Sequence, residues 1–133
     1  MNELKFHHVC IQTNDYETSK DFYMNILNFQ LVDETKNFHG REYNSWLKLN
    51  DFYIELQTGK GELIRFDSNT ESLAHFCLYT DDLSLVLKSI LDKGYNNFKR
   101  KNNDIIYKVL NGSLFKIVAP EGTIIEIRDN AEI

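Results

Sequence analysis

Two histidines and two glutamates stand at matching places in this chain. His8 leads into Val9-Cys10-Ile11-Gln12-Thr13, and His75 leads into Phe76-Cys77-Leu78-Tyr79-Thr80, at a constant offset of 67. Glu55 lies in Tyr53-Ile54-Glu55-Leu56 and Glu126 in Ile124-Ile125-Glu126-Ile127. In a strand, successive side chains point to opposite faces. His8 therefore faces away from Val9 and Ile11, and His75 away from Ala74, Phe76 and Leu78. Glu55 faces away from Ile54 and Leu56, and Glu126 away from Ile125 and Ile127. The apolar neighbours are natural partners for a helix, which leaves the four polar side chains on the opposite, concave face of a curved sheet. A carboxylate there is costly unless it is solvated, paired or metal-bound.

Two imidazoles and two carboxylates make a nitrogen–oxygen donor set suited to a divalent ion such as Ni, Co, Zn, Mn or Fe. Four protein ligands on an octahedral ion leave two positions for substrate or water. An open ion of this kind can polarise a carbonyl and stabilise an enediolate. A lone strand histidine is more often structural than a ligand. Here repeat-equivalent positions carry the same residue types on the same expected face, which favours one divalent ion held by His8, Glu55, His75 and Glu126. Cys10 and Cys77 share that face and read as small buried thiols rather than soft ligands. Gln12, Tyr53, Gln57 and Tyr79 also face it and could position a polar substrate. His7 falls on the helix side as a structural residue, and His39, beside Gly40, falls in a surface loop.

The elements that must place these residues repeat as well. His8 to Asp15 aligns with His75 to Asp82, with His, Cys, Thr and Asp identical at four of eight positions. After the first strand, Asn14-Asp15 offers a helix cap, and Phe22, Tyr23, Ile26 and Leu27 give Tyr16 to Leu27 an amphipathic helical pattern. Strand-like runs follow at Gln30 to Glu34, Glu42 to Leu49 and Phe52 to Thr58, with Asn50-Asp51 as a tight hairpin turn. After a polar connector, Leu73 to Thr80 alternates again and Asp81-Asp82 caps a second helix over Leu83 to Lys93. Its apolar face is Leu83, Val86, Leu87, Ile90 and Leu91, and Gly94 stops it. Further strands are expected at Asn97 to Lys101, Asp104 to Leu110, Leu114 to Val118 and Thr123 to Arg128. The fold class is α+β: two tandem βαβββ modules forming a curved, open mixed-sheet barrel with helices outside. Module one spans about 6–58, the connector 59–72 and module two about 73–129, within a single domain of 1–133.

Composition limits the partners. The 133 residues carry 15 basic and 20 acidic side chains, a formal charge of −5. A net acidic domain is poorly suited to general binding of nucleic acid or an anionic membrane. No apolar run approaches the roughly 18 residues of a membrane span. Two cysteines make no disulfide framework. No secretory signal is visible at the N-terminus, so a reducing cytoplasmic location is expected.

The chain resembles the vicinal oxygen chelate superfamily, also called the glyoxalase/bleomycin-resistance/dioxygenase family, from about Phe6 to Asp129. The likeness is carried by His8-Val9 leading to Asn14-Asp15, by Ser19-Lys20-Asp21-Phe22-Tyr23 with Leu27-Asn28-Phe29, by Ala74-His75-Phe76, and by Ala119-Pro120-Glu121-Gly122 before Ile125-Glu126-Ile127. The His/Glu/His/Glu quartet looks most like compact bacterial glyoxalase I (lactoylglutathione lyase). The resemblance implies that His8, Glu55, His75 and Glu126 bind one divalent metal per site. It also implies isomerisation of a 2-oxoaldehyde–thiol hemithioacetal through an enediolate on the metal. Glu126 is the expected base moving a proton from C1 to C2, with Glu55 the symmetric candidate. It implies a small-molecule substrate with a thiol cosubstrate, and a homodimer with sites shared between chains. Gln12 stands where glyoxalase I usually has an arginine for the glutathione carboxylate, and Leu56-Gln57-Thr58-Gly59 replaces its usual asparagine. Another thiol or another carbonyl substrate fits the metal chemistry equally well. Within the superfamily the alternatives are a non-catalytic drug binder of the bleomycin-resistance kind, an extradiol dioxygenase and a thiol transferase. The last two use a His/His/Glu set, which leaves Glu55 unexplained.

Overall fold

Asp15 and Asp82 start the two helices. The Thr18 N–H donates to Asp15 Oδ1 at 3.3 Å, and the Leu85 N–H donates to Asp82 Oδ1 at 3.1 Å. Each cap satisfies one of the N–H groups that a first turn leaves without a partner, worth about 1 kcal/mol. The structure is a computed structural model that describes residues 2–67 and 69–133. It divides into two units, Met1–Ile64 and Arg65–Ile133, with the boundary inside the expected connector.

The first unit runs β1 (His8–Thr13), α1 (Tyr16–Asp21), β2 (Gln30–Phe38), β3 (Arg41–Leu49) and β4 (Phe52–Thr58). Its sheet has the order β1-β4-β3-β2, with β1 parallel to β4 and the other pairs antiparallel. Ile54 and Leu56 of β4, with Ser45 and Leu47 of β3, are fully buried on the face that α1 covers. The regular helix is shorter than the sequence pattern suggests. From Phe22 to Ile26 it widens into a π-helical turn, with the Leu27 N–H donating to the Phe22 carbonyl. That turn lets the adjacent Phe22 and Tyr23 both enter the core, edge to face with centroids 5.0 Å apart. Asn28 then ends the segment at φ 65°. Asn50 takes φ 51° in the β3–β4 hairpin, at the expected turn. Strand β2 runs four residues beyond the alternating stretch, because His39-Gly40, both at positive φ, returns it as a hairpin onto β3.

The second unit runs β5 (Phe76–Tyr79), α2 (Leu83–Asp92), β6 (Phe98–Lys99), β7 (Tyr107–Val109), β8 (Gly112–Val118) and β9 (Ile124–Arg128). Its sheet has the order β5-β9-β8-β6, with β7 also on β8 and β5 parallel to β9. Here two short strands take the place that β2 fills in the first unit. Between them the chain leaves the sheet, turning at Asn102-Asn103, both left-handed, inside a Lys101–Asp104 bridge. Phe115, Ile117, Ile125 and Ile127 form the buried face. Leu83 and Ile90 of α2 are buried, while Leu91, expected on the apolar face, is largely exposed. Both tandem modules of the α+β reading are therefore present, each with a mixed sheet. No helix among the described residues is long and apolar enough to cross a membrane.

Candidate metal and substrate site

The alternation that buries Ile54 and Leu56 turns Tyr53, Glu55 and Gln57 to the other face. On β1 the same alternation buries Ile11 and leaves His8, Cys10 and Gln12 on that other face. His8 Nε2 lies 3.5 Å from Glu55 Oε1. In the second unit His75 Nε2 lies 3.5 Å from Glu126 Oε1. The equality follows from register: β1 on β4 and β5 on β9 pair in parallel, with Cys10 opposite Glu55 and Cys77 opposite Glu126. A separation of 3.5 Å exceeds the usual 2.7–3.2 Å of an N–H···O hydrogen bond. It suits two donors that share one ion at roughly 2.0–2.2 Å. Each unit by itself brings the expected histidine and glutamate together, and no group of three or more metal-capable side chains forms among the described residues.

Glu126 is 7% exposed and is the one carboxylate among the buried side chains of the described residues. Glu55 is more open. Around His8 the site is aromatic. Trp46, opposite Glu55 in the β3–β4 register, meets the imidazole edge-on with centroids 4.6 Å apart. His7, read from alternation as a helix-side residue, is exposed instead and curls onto the site face. It stands one residue before β1, where the Trp46 and Tyr53 rings hold it on this face. Its ring stacks on Tyr53, and its Nδ1 lies 2.8 Å from His8 Nδ1, one imidazole N–H donating to the other. A His8 that ligates through Nε2 carries its proton on Nδ1, so His7 would be the acceptor that fixes its tautomer.

The cysteines are not the buried thiols expected. Both are exposed on the site face, because they lie on β1 and β5, each at one end of its sheet. Partial burial of the sulfur, then the Glu55 carboxylate, pushes the Cys10 thiol up to about 11. Partial burial, then a hydrogen bond to Glu126, pushes Cys77 up to about 12. Arg41 and Arg128 oppose these shifts.

Three comparisons identify the family and the fold. Residues 7–106, three quarters of the chain, match the family model described as Glyoxalase/Bleomycin resistance protein/Dioxygenase superfamily. The chain belongs to that superfamily. Its fold is that of a glyoxalase family protein from Enterococcus faecalis, with a TM-score of 0.75 at 18% identity over 93% of this chain and 96% of that one. A mutant of glyoxalase I from Zea mays superposes with a TM-score of 0.75 at 19% identity, over 95% of this chain and 44% of that one. A curated relative, the uncharacterized protein YwkD of Bacillus subtilis, is 42% identical over 48 residues, which span 36% of this chain and 38% of that protein's length.

Strand register sets the positions of Gln12 and Gln57. Gln12, Gln57 and Asn44 form one register row across β1, β4 and β3, next to the row that carries Glu55. Gln57 is buried, and Asn44, 3% exposed, has an Oδ1 without a hydrogen-bond partner in the structure. Tyr53 is half-buried beneath the Lys48 ammonium, whereas Tyr79 is 53% exposed and its hydroxyl donates to Asp81. Arg41 was invisible to strand alternation. From the start of β3 its Nη1 donates to Gln12 Oε1 at 2.7 Å and to the Thr58 carbonyl at 2.8 Å. A guanidinium from another strand thus lies against the Gln12 amide. Thr58 also borders a cavity of about 320 Å³ at the strand ends, whose other walls include Thr13, Asn14 and Gly59-Lys60-Gly61. Asn14 pins that loop, exchanging hydrogen bonds with the Leu63 backbone at 2.9 Å in both directions.

Proposed function

We propose that this chain is a metal-dependent isomerase of the glyoxalase I type, acting on the hemithioacetal of a 2-oxoaldehyde and a thiol. The observation that carries the reading is the repeated His–Glu pair, 3.5 Å apart in each unit, with His8 opening β1 and His75 standing one residue before β5. His8, Glu55, His75 and Glu126 would together hold one divalent ion of the Ni, Co, Zn, Mn or Fe class, in a homodimeric protein. Such an ion polarises the oxygens of the reacting carbon pair and so lowers the cost of removing the adjacent C–H proton. Glu126 takes that proton from C1 and returns it to C2, so no atom is gained or lost overall. Its low exposure limits the access of bulk water that would compete for the proton. Glu55 is the symmetric candidate for the same step. Gln12, Tyr53, Gln57 and Tyr79 orient the substrate.

The test is direct. Metal-loaded protein is mixed with methylglyoxal and a panel of thiols, and formation of the 2-hydroxyacyl thioester is followed. Turnover with at least one thiol is expected; none with any thiol would end this reading. Arg41 adds a choice among thiols. Beyond the bonds of its Nη1, the guanidinium keeps N–H groups that could hold a carboxylate. Arg41→Met should raise KM about 10- to 100-fold for the 3-mercaptopropionate hemithioacetal, the loss of a charge-assisted hydrogen bond. The neutral 2-mercaptoethanol adduct should be unaffected. Equal effects on both would remove Arg41 from substrate selection.

A further inference from the structure

We propose that Cys77 is a positioning residue for Glu126, and that Cys10 plays the same part for Glu55; this rests on the metal reading above. The two oxygens of Glu126 have different neighbours. Oε1 faces His75 Nε2 at 3.5 Å, while Oε2 lies 3.3 Å from Cys77 Sγ. An ionised carboxylate only accepts hydrogen bonds, so the thiol is the donor. The same Sγ also lies 3.5 Å from the Leu78 carbonyl, a longer contact to a neutral acceptor. A charged acceptor wins that competition. The S–H bond therefore ties down Oε2 and turns Oε1 to the side where the histidine and the ion would be. Without it the carboxylate could rotate, or engage an ion through both oxygens.

The repeat supplies an independent observation. Cys10 stands opposite Glu55 in the same parallel register in which Cys77 stands opposite Glu126. Gln12 is matched by Tyr79 and Val9 by Phe76, while the cysteine, like the metal-side histidine, occurs in both copies. Core packing does not explain it, because both residues are exposed.

Cobalt(II) alone is the probe, with affinity measured by competition against a chromophoric chelator and the visible spectrum recorded. Partners that orient metal ligands typically cost about 10- to 100-fold in affinity when lost. Cys77→Ala should weaken Co(II) binding by about that factor and change the visible bands. Cys77→Ser, whose hydroxyl can donate to the same oxygen, should recover most of the affinity. Unchanged affinity and spectrum in Cys77→Ala would overturn the proposal while leaving the metal site standing. So would equal losses in both variants, or a thiolate-to-cobalt charge-transfer band in the unmodified protein, which would make Cys77 a ligand. An unmodified protein that fails to bind Co(II) would overturn this proposal and the metal reading together.

Discussion

Glu126→Gln is expected to lower hemithioacetal turnover by about 10²- to 10⁴-fold, the usual contribution of a positioned general base. Glutamine keeps the volume and one acceptor oxygen for the Cys77 thiol, but it cannot take a proton from carbon. The effect should be specific to the chemistry. Ile125 and Ile127, which flank Glu126, point to the other face and are buried there, so the core is untouched. Removing a buried charge should also leave urea stability unchanged or slightly higher. Because the same side chain is assigned to the metal, turnover must be compared at equal metal occupancy. Glu55→Gln is the control, since Glu55 is the more open of the two glutamates. It should lose less turnover than Glu126→Gln at matched occupancy. A larger loss in Glu55→Gln would move the base to Glu55, and full turnover in Glu126→Gln would remove Glu126 from the proton transfer.

The largest expected effect on stability is at Phe115. The residue is fully buried on β8, opposite Ile127 of β9, and meets Phe98 edge to face with centroids 5.8 Å apart. Truncating a buried phenylalanine to alanine removes its transfer free energy and leaves a cavity, for about 3–5 kcal/mol. Against the 5–15 kcal/mol that typically holds a domain, this is a large share. Urea unfolding should show a midpoint shift of matching size with an unchanged slope. Leu110, 93% exposed, provides the contrast: Leu110→Ala should stay within about 0.5 kcal/mol of the parent. A cost below about 1 kcal/mol at Phe115 would mean that the core of this unit does not centre on β8 and β9.

The His–Glu pairs were legible in the sequence because three signals agreed. Alternation fixed the face of His8 and Glu55, and an aspartate cap fixed where each helix begins. The offset repeat marked His75 and Glu126 as their equivalents. What escaped was whatever depends on register or on leaving the regular pattern. Trp46 joins the site only through its pairing with Glu55, and pairing is a long-range fact. Arg41 reaches Gln12 from the far side of a hairpin, and its own position in β3 gives no hint of that. His7, one residue before β1, is drawn to the site face by the Trp46 and Tyr53 rings, contacts that alternation does not encode. The π-helical turn at Phe22–Ile26 is a response to packing two adjacent rings, and helical spacing alone does not encode it. The cysteines misled because small thiols are usually buried, whereas these sit on end strands of their sheets.

The most direct measurement is the metal content of protein purified without an affinity tag, incubated with Ni, Co, Zn and Mn and then desalted. One ion per His8/Glu55/His75/Glu126 set, close to about one equivalent per chain, is the expected result, falling sharply in both His8→Ala and His75→Ala. Less than about a tenth of an equivalent for every metal would contradict a shared metal centre built from the two repeats.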